Sequence, residues 1–180
     1  MNSLEKQVDS LNKDMQTRFA EAKRYSDLQF HLKPSEEAWS LQQVLLHLCY
    51  VQDGVVTVLK KQVPKITELE KSGLKHFFSY IMLKLALRSD KKFKAPKLLG
   101  QPDNISSLES VEAAWKRSTD ELFSIVRSFP QASNDRLVFK HPFVGWLSMN
   151  QTIGFVIDHF RHHQKQIEAL YSWLDNNKNN

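Results

Sequence analysis

Two histidines near the carboxyl end of the chain have the spacing of metal ligands. His159 and His163 are four residues apart, so in a helix they lie one turn apart on one face, with about 6 Å between their Cβ atoms. That spacing lets two imidazoles bind a single ion. Phe155 and Leu170 fall on the same helical face, so this face is expected to point into the core. Imidazoles directed into a core need polar partners or a metal ion.

A third histidine, His47, borders the apolar stripe of another predicted helix, between Val44 and Val51. Three inward-facing nitrogens would leave one coordination position for water, as in catalytic rather than structural zinc sites. With no carboxylate ligand the ion keeps its double charge, so it would lower the pKa of a bound water toward ~7 or bind a thiol as thiolate. The same pattern also arises by chance, and a core histidine can bond to a carbonyl group instead. The residues alone leave both interpretations open.

Three other side chains are candidates for the surroundings of this site. Gln166 shares the inner face one turn beyond His163, where it either orients water or substrate or serves as the amide partner of a buried histidine. His162 points about 100° away from His163, so we expect it to flank the site rather than to be a ligand. His141 precedes Pro142 and either lines the mouth of a pocket or holds a turn, of which we favour the turn.

Two residues close to the histidines are predicted to be structural rather than part of the site. Cys49 lies two residues after His47, which places it about 200° around a regular helix, so it is predicted to be a small core residue. If the chemistry of the site uses a thiol, that thiol must therefore come from a co-substrate. Asp158 could bond to the second nitrogen of a ligand, but we favour a place on the helix surface. A single cysteine makes no internal disulfide, which favours a reducing cytoplasm.

The apolar spacing predicts the four long helices that must position these residues. They are expected over residues 4–19, 40–63, 108–129 and 148–173, with Pro64 and Pro130 as stops. Ser40 with Gln43, and Ser148 with Gln151, match the capping box that begins a helix. No run of alternating residues predicts a strand convincingly, so the fold class is all-α, a four-helix bundle in a single domain over residues 1–180.

The connection between the second and third long helices is unusually long. Leu74–Leu87 is predicted as a shorter helix and Lys91–Asn104 as a loop with two prolines. This length permits long helices that follow one another in the chain not to be neighbours in space. The segment with Pro142 and Gly145, before the last helix, is expected to be another connection.

Composition excludes some classes of partner. The chain has 180 residues, 41% of them hydrophobic, and a net charge of +5. No apolar run approaches the ~20 residues of a membrane span, and the charged first residues do not resemble a signal peptide, so we expect no membrane partner. One basic run is expected to be a solvated loop, with an anionic-substrate or nucleic-acid patch as the minority interpretation. It consists of Lys84, Arg88, Lys91, Lys92, Lys94 and Lys97.

Two motifs resemble those of the DinB/YfiT-like superfamily. The stretch from Trp39-Ser40 to His47-Leu48 is similar to its first histidine motif, and the stretch 141–148, which leads to His159-x-x-x-His163, is similar to its C-terminal motif. The order and separation also fit, and the resemblance is weakest across residues 65–107. It implies a four-helix bundle in the down-up-up-down sense. It also implies a zinc or nickel ion held by His47, His159 and His163.

The resemblance implies two enzyme classes. Some relatives resemble thiol-S-transferases that use a low-molecular-weight thiol such as bacillithiol or mycothiol, others look like metal-dependent hydrolases, and many have no assigned activity. A homodimer is also expected from the resemblance. Our first hypothesis is therefore a cytoplasmic metal-dependent enzyme that acts on a small electrophilic substrate. The alternative is a non-catalytic metal-binding stress-response module, and a third hypothesis is nucleic-acid binding through the basic run, which we do not favour.

Overall fold

The computed structural model describes residues 1–89 and 102–177. The helices are α1 (Ser3–Ala22), α2 (Asp27–His31), α3 (Leu41–Gln62), α4 (Leu74–Arg88), α5 (Leu108–Ser128) and α6 (Met149–Asn176). Short 3-10 turns cover Val63–Glu68 and Gln131–Ser133, and an antiparallel hairpin is formed by β1 (Leu137–His141) and β2 (Gly145–Ser148). The all-α bundle predicted from the sequence is confirmed, and so is the shorter helix α4. The hairpin was not predicted.

Both predicted capping boxes begin helices that carry the site histidines. At α3, Ser40 Oγ accepts a hydrogen bond from the Gln43 backbone N–H (3.1 Å), and Gln43 Oε1 accepts one from the Ser40 N–H (3.2 Å). Ser148 and Gln151 make the same reciprocal pair at α6, at 3.4 and 2.9 Å. Each box satisfies two backbone donors that a helix leaves free at its start. These pairs fix the residue at which each helix starts.

Contacts along α1 give its direction relative to two neighbours. Asn2, the cap of α1, donates from Nδ2 to the carbonyl of Val126 near the end of α5 (3.1 Å), so α1 and α5 run antiparallel. At the other end, Arg24 pairs with Asp175 in the last turn of α6 (3.2 Å). The ends of α1 and α6 therefore lie together, and these two helices run parallel.

The middle pair of long helices also runs parallel. Cys49 Sγ, in the first half of α3, contacts the carbonyl of Val111 near the start of α5 (3.6 Å), while Lys60 near the end of α3 pairs with Glu121 further along α5 (2.9 Å). Together with the directions of α1 and α6, this gives a down-up-up-down bundle, as the resemblance implies. The principal packings are α1–α5, α5–α3, α3–α6 and α6–α1, so α1 and α3 lie diagonally.

The hairpin packs on α3, α4 and α6 and closes one side of the bundle. Leu137, Val138 and Phe139 are all at most 9% exposed, at a bulge in β1, whereas Lys140 is exposed and His141 is buried again. The bulge interrupts the alternation of buried and exposed residues, so the sequence of β1 lacks a run with the period of two that identifies strands. Gly145 follows the turn with φ of 78°, a conformation that favours glycine.

The contacts between helix α4 and α6 include one aromatic contact and one ion pair. A Cβ at Gly154 of α6 would overlap the hydroxyl oxygen of Tyr80, so glycine permits the close approach of the tyrosine ring. Lys84 Nζ lies 3.7 Å from the buried carboxylate of Asp158. In the described part of the chain, no helix is long and apolar enough to cross a membrane.

Two glycine-to-alanine substitutions test this contact. Alanine stabilises a helix by about 0.5–1 kcal/mol relative to glycine, and Gly54→Ala in α3 should gain that amount because a Cβ there meets no atom within 4 Å. Gly154→Ala should instead destabilise the protein, by about 1–3 kcal/mol, through overpacking against Tyr80. Urea unfolding of both variants measures the difference.

Tyr80→Phe in the Gly154→Ala background is the control for the cause of the loss. It removes the overlapping oxygen and leaves Cζ at 3.2 Å as the nearest atom, so part of the lost stability should return in a double-mutant cycle. Equal stabilisation by the two alanine substitutions would show that Tyr80 does not pack on Gly154.

Candidate metal centre

The structure brings His47, His159 and His163 together between α3 and α6. One potential ligand nitrogen from each lies within 4.8 Å of the other two. The closest pair is Nε2 of His47 and Nε2 of His159, which are 3.2 Å apart. The ring centroids are 4.8–5.0 Å from one another in all three pairs. Two adjacent helix turns and one turn of a facing helix therefore aim three nitrogens at one point.

Burial keeps these imidazoles neutral. His47 is buried, and His159 and His163 are half-buried. Burial, with the nearby His163, lowers the pKa of His47 to about 3, and burial lowers the pKa of His163 to about 4. The pKa of His159 lies well below its ordinary value, from burial and then from the neighbouring histidines. At neutral pH, all three nitrogens are therefore available as lone-pair donors without losing a proton.

Gln166 orients one of the three rings. Its Oε1 lies 2.9 Å from Nδ1 of His163, and since an amide oxygen only accepts, the imidazole donates from Nδ1. The proton is then on Nδ1, and Nε2 of His163 carries the lone pair. Of the two roles that the sequence left open for Gln166, the geometry is that of an amide partner for histidine. Such a partner fixes the tautomer and direction of a metal ligand.

Trp39 covers the cluster and was missed as a site residue. Its ring centroid lies 5.1 Å from that of His47, and it stacks on His163 at 6.5 Å with 11° between the planes. Trp39 directly precedes the cap residue Ser40, where an apolar side chain commonly packs back on the first turns of the helix. The position of Trp39 directly before the cap was the sequence signal that could have identified it as a site residue. A side chain at this position lies over the inner face of α3.

His162 and His141 lie beside the cluster without joining it. Nδ1 of His162 bonds to the carbonyl of Leu87 (2.7 Å), and its ring meets His163 edge-on at 5.2 Å. His141 ends β1, where its Nδ1 accepts from the Phe143 N–H (3.3 Å), and it is only 6% exposed. The position of the His141 ring agrees with a role in holding the turn, which is the role favoured from the sequence. Burial lowers the pKa of His141 to about 4.

The structure confirms the predicted position of Cys49 but not that of Asp158. Cys49 is 3% exposed, in the core as predicted, and burial raises the pKa of its thiol to about 12. Asp158 was expected on the helix surface, which is wrong: it is 6% exposed and pairs with Lys84. Packing of α4 against α6 covers it, which the spacing within α6 alone does not reveal. Of the basic run, Lys91, Lys92, Lys94 and Lys97 lie outside the described residues.

The donor set fits a divalent transition metal. Imidazole nitrogens at 2.0–2.1 Å from a tetrahedral ion are about 3.3 Å apart, close to the 3.2 Å between His47 and His159. Within residues 1–89 and 102–177, no carboxylate or thiol joins the three histidines. Two surface grooves lie between α1 and α5, and neither is lined by a histidine of the cluster.

The lowered histidine pKa values predict a pH dependence for the metal-free protein. The unfolded chain binds protons at these histidines near pH 6.5, whereas the folded chain does so at about pH 3 to 4 for His47, His141 and His163. Their contribution to stability is therefore complete above pH 6.5 and is lost as the pH falls below it. Each histidine removes about 1.4 kcal/mol per pH unit in that window.

Urea unfolding of chelator-treated protein at pH 7.5, 6 and 5 measures this loss. His141→Gln removes one of the titrating rings without touching the cluster, so its stability should fall less steeply over the same range. If the urea concentration at the unfolding midpoint is the same from pH 7.5 to pH 5, these histidine rings are not buried in their neutral form.

Comparisons with known proteins agree with the architecture. YuaE of Bacillus subtilis, described as uncharacterized, is 27% identical over 152 residues, which cover 83% of this chain and 88% of the relative. A solved structure, that of YfiT from Bacillus subtilis, matches with a TM-score of 0.56 at 17% identity, over 97% of this chain and 90% of the other. It is described as a probable metal-dependent hydrolase with an unusual four-helix bundle topology.

A family match spans most of the chain, including α3 and the two turns of α6 that carry the histidines. It covers residues 11–167 and is to the DinB superfamily. With the down-up-up-down bundle and the three clustered imidazoles, this match shows that the chain belongs to the DinB superfamily.

Proposed function

We propose that this protein is a metal-dependent enzyme in which His47, His159 and His163 hold a zinc or nickel ion. The observation that carries the proposal is the convergence of three neutral imidazoles, with ligand nitrogens within 4.8 Å of one another and no carboxylate or thiol beside them in the described part of the chain. A three-histidine donor set is typical of zinc sites that keep a position open for water or substrate. The bound ion would supply Lewis acidity and would activate a water or a thiol.

The chain's own residues would hold and shield that position. Gln166 keeps the His163 lone pair on Nε2, and Trp39 excludes water from one side of the rings. Half-burial of His159 and His163 leaves access for a small substrate. Selectivity would come from the side chains at this end of the bundle and from residues 141–147. The proposal includes the homodimer and the cytoplasmic location that we expect from the sequence.

Both hydrolysis and thiol-S-transfer to a small electrophile remain within the proposal. Cys49 does not supply a thiol, because it is 3% exposed and burial raises its pKa to about 12. A transferase of this kind would therefore depend on a low-molecular-weight thiol as co-substrate. The alternative function is a non-catalytic metal-binding stress-response module, which would hold the same ion without turnover.

Metal analysis of purified protein tests the ligand assignment. Wild-type protein should carry about one ion per chain, and His159→Ala should lower the content at least tenfold, since removal of one of three ligands leaves a two-histidine site. Because His159 is only half-buried, the far-ultraviolet circular dichroism of the variant should remain that of a helical bundle. Mass spectrometry of the metals and a titration with Zn²⁺ or Ni²⁺ give the stoichiometry.

Two further variants separate ligation from general disturbance of α6. His162→Gln changes the adjacent histidine, whose Nδ1 bonds to Leu87, and should retain the metal. Gln166→Ala removes the partner that orients His163 and should weaken binding by about tenfold. Unchanged stoichiometry in His159→Ala, or equal loss in His162→Gln, would contradict the assignment.

Activity panels distinguish the three functions. Holoprotein, chelated protein and His159→Ala are compared on ester and amide substrates, and on electrophiles with bacillithiol, mycothiol or glutathione. A hydrolase should turn over without thiol, and a transferase should require it, with both activities lost after chelation. Cys49→Ala should leave either activity unchanged. A protein with bound metal that is inactive across both panels would support the non-catalytic module.

A further inference from the structure

Helix α4 presents an apolar face to solvent. Its outward side chains recur at intervals of three and one residues, which places them on one stripe. All are 36–79% exposed: Leu74, Phe77, Phe78, Ile81, Met82 and Leu85. Phe77 and Phe78 also meet edge to face at 5.8 Å. A contiguous apolar surface with aromatic residues at its centre is typical of an interaction site rather than of a solvated helix face.

The opposite face of α4 is already occupied by α6. Tyr80 packs over Gly154, Lys84 pairs with the buried carboxylate of Asp158, and the carbonyl of Leu87 bonds to His162. The inward face also carries Leu83, which is 6% exposed, so α4 is apolar on both faces and lacks the polar outer face expected for a surface helix. Rotation of α4 to bury its apolar stripe would leave Asp158 as a buried charge without its lysine, which is costly.

We propose that the outward face of α4 pairs with the same face of a second copy of this chain, antiparallel and about a two-fold axis. This inference deepens the homodimer of the proposed function and needs no metal ion. Six large side chains of roughly 200 Å² each, exposed to the stated degree, offer about 700 Å² per copy. Two copies would then bury about 1,400 Å², within the range of stable interfaces.

Charges at the ends of α4 match this antiparallel arrangement. The midpoint of the apolar stripe lies between residues 79 and 80, so the start of one α4 faces the end of the other. Glu70, which is exposed just before α4, would then lie near Arg88 of the second copy, which is exposed in the last turn of α4. At the same end, Lys71 is already paired with Asp135 (3.4 Å). Antiparallel helix dipoles also attract rather than repel.

Single cysteines test the register of this pairing. Near the axis, Phe78→Cys should react with its own counterpart through a short thiol cross-linker and give a covalent dimer. Two Leu74 positions would be about 16 Å apart along the helices, so Leu74→Cys alone should not cross-link. A mixture of Leu74→Cys and Leu85→Cys chains should do so. Wild-type protein is the background control, because its one cysteine is buried.

Disruption of the stripe tests its contribution to assembly. Phe78→Glu with Met82→Glu places two carboxylates on the face and should raise the dimer dissociation constant at least a hundredfold, measured by light scattering after gel filtration. Leu28→Glu, at a side chain of α2 that is 73% exposed, is the matched control and should leave the dimer unchanged. Circular dichroism and metal content should be the same in all three proteins, since none of these residues contacts the histidine cluster.

Each remaining outcome has a defined meaning. A dimer that persists in metal-free protein but shows no metal-dependent activity would support the interface and remove the enzyme proposal. Wild-type protein that is monomeric at 100 µM would overturn the interface. So would a dimer that is unaffected by the two glutamates. If monomeric wild-type protein floats with vesicles of anionic phospholipid and the double-glutamate variant does not, the outward face of α4 binds lipid instead.

Discussion

The site depends on the packing of α3 against α6, which forces three neutral imidazoles together. The Nε2 atoms of His47 and His159 lie 3.2 Å apart, so in the metal-free protein one neutral ring donates its N–H to the lone pair of the other. Burial disfavours any further proton on the cluster, because it lowers the pKa of each ring. A divalent cation would replace this single hydrogen bond by bonds to all three nitrogens. The cluster is therefore suited to a metal ion rather than to additional protons.

Helix α6 carries two interfaces on adjacent stripes, and this explains its length and composition. One stripe holds His159 and His163 and faces α3. The neighbouring stripe holds Gly154, Asp158 and His162, four residues apart, and faces α4. Because both stripes belong to one rigid helix, the position of α4 is set by the helix that carries two of the three clustered histidines. Parallel α3 and α5 require the chain to travel the length of the bundle between them, and the long connection that includes α4 provides this path.

Local sequence signals predicted the elements well, because they act over three or four residues. Ser40 with Gln43 and Ser148 with Gln151 gave the helix starts, and the spacing of His159 and His163 placed both on the inner face. The features that were missed depend on contacts between distant segments. Asp158 is buried only because Lys84 reaches it from α4. β1 was missed because the three residues at its bulge are all buried, so burial alternates only from Phe139 to His141.

In the described part of the chain no carboxylate joins the three histidines, and this constrains the proposed chemistry more than the presence of the histidines does. Neutral ligands would leave the full double charge of a bound ion to act on its fourth ligand, so the ion would attract anions and favour a hydroxide or a thiolate at neutral pH. In the described part of the chain, the one thiol is Cys49, which is buried against α5 near Val111. Its helical position, about 200° from His47, directs it away from the cluster. In the proposed enzyme the nucleophile would therefore come from solvent or from a co-substrate, and either would enter at the half-buried side of His159 and His163.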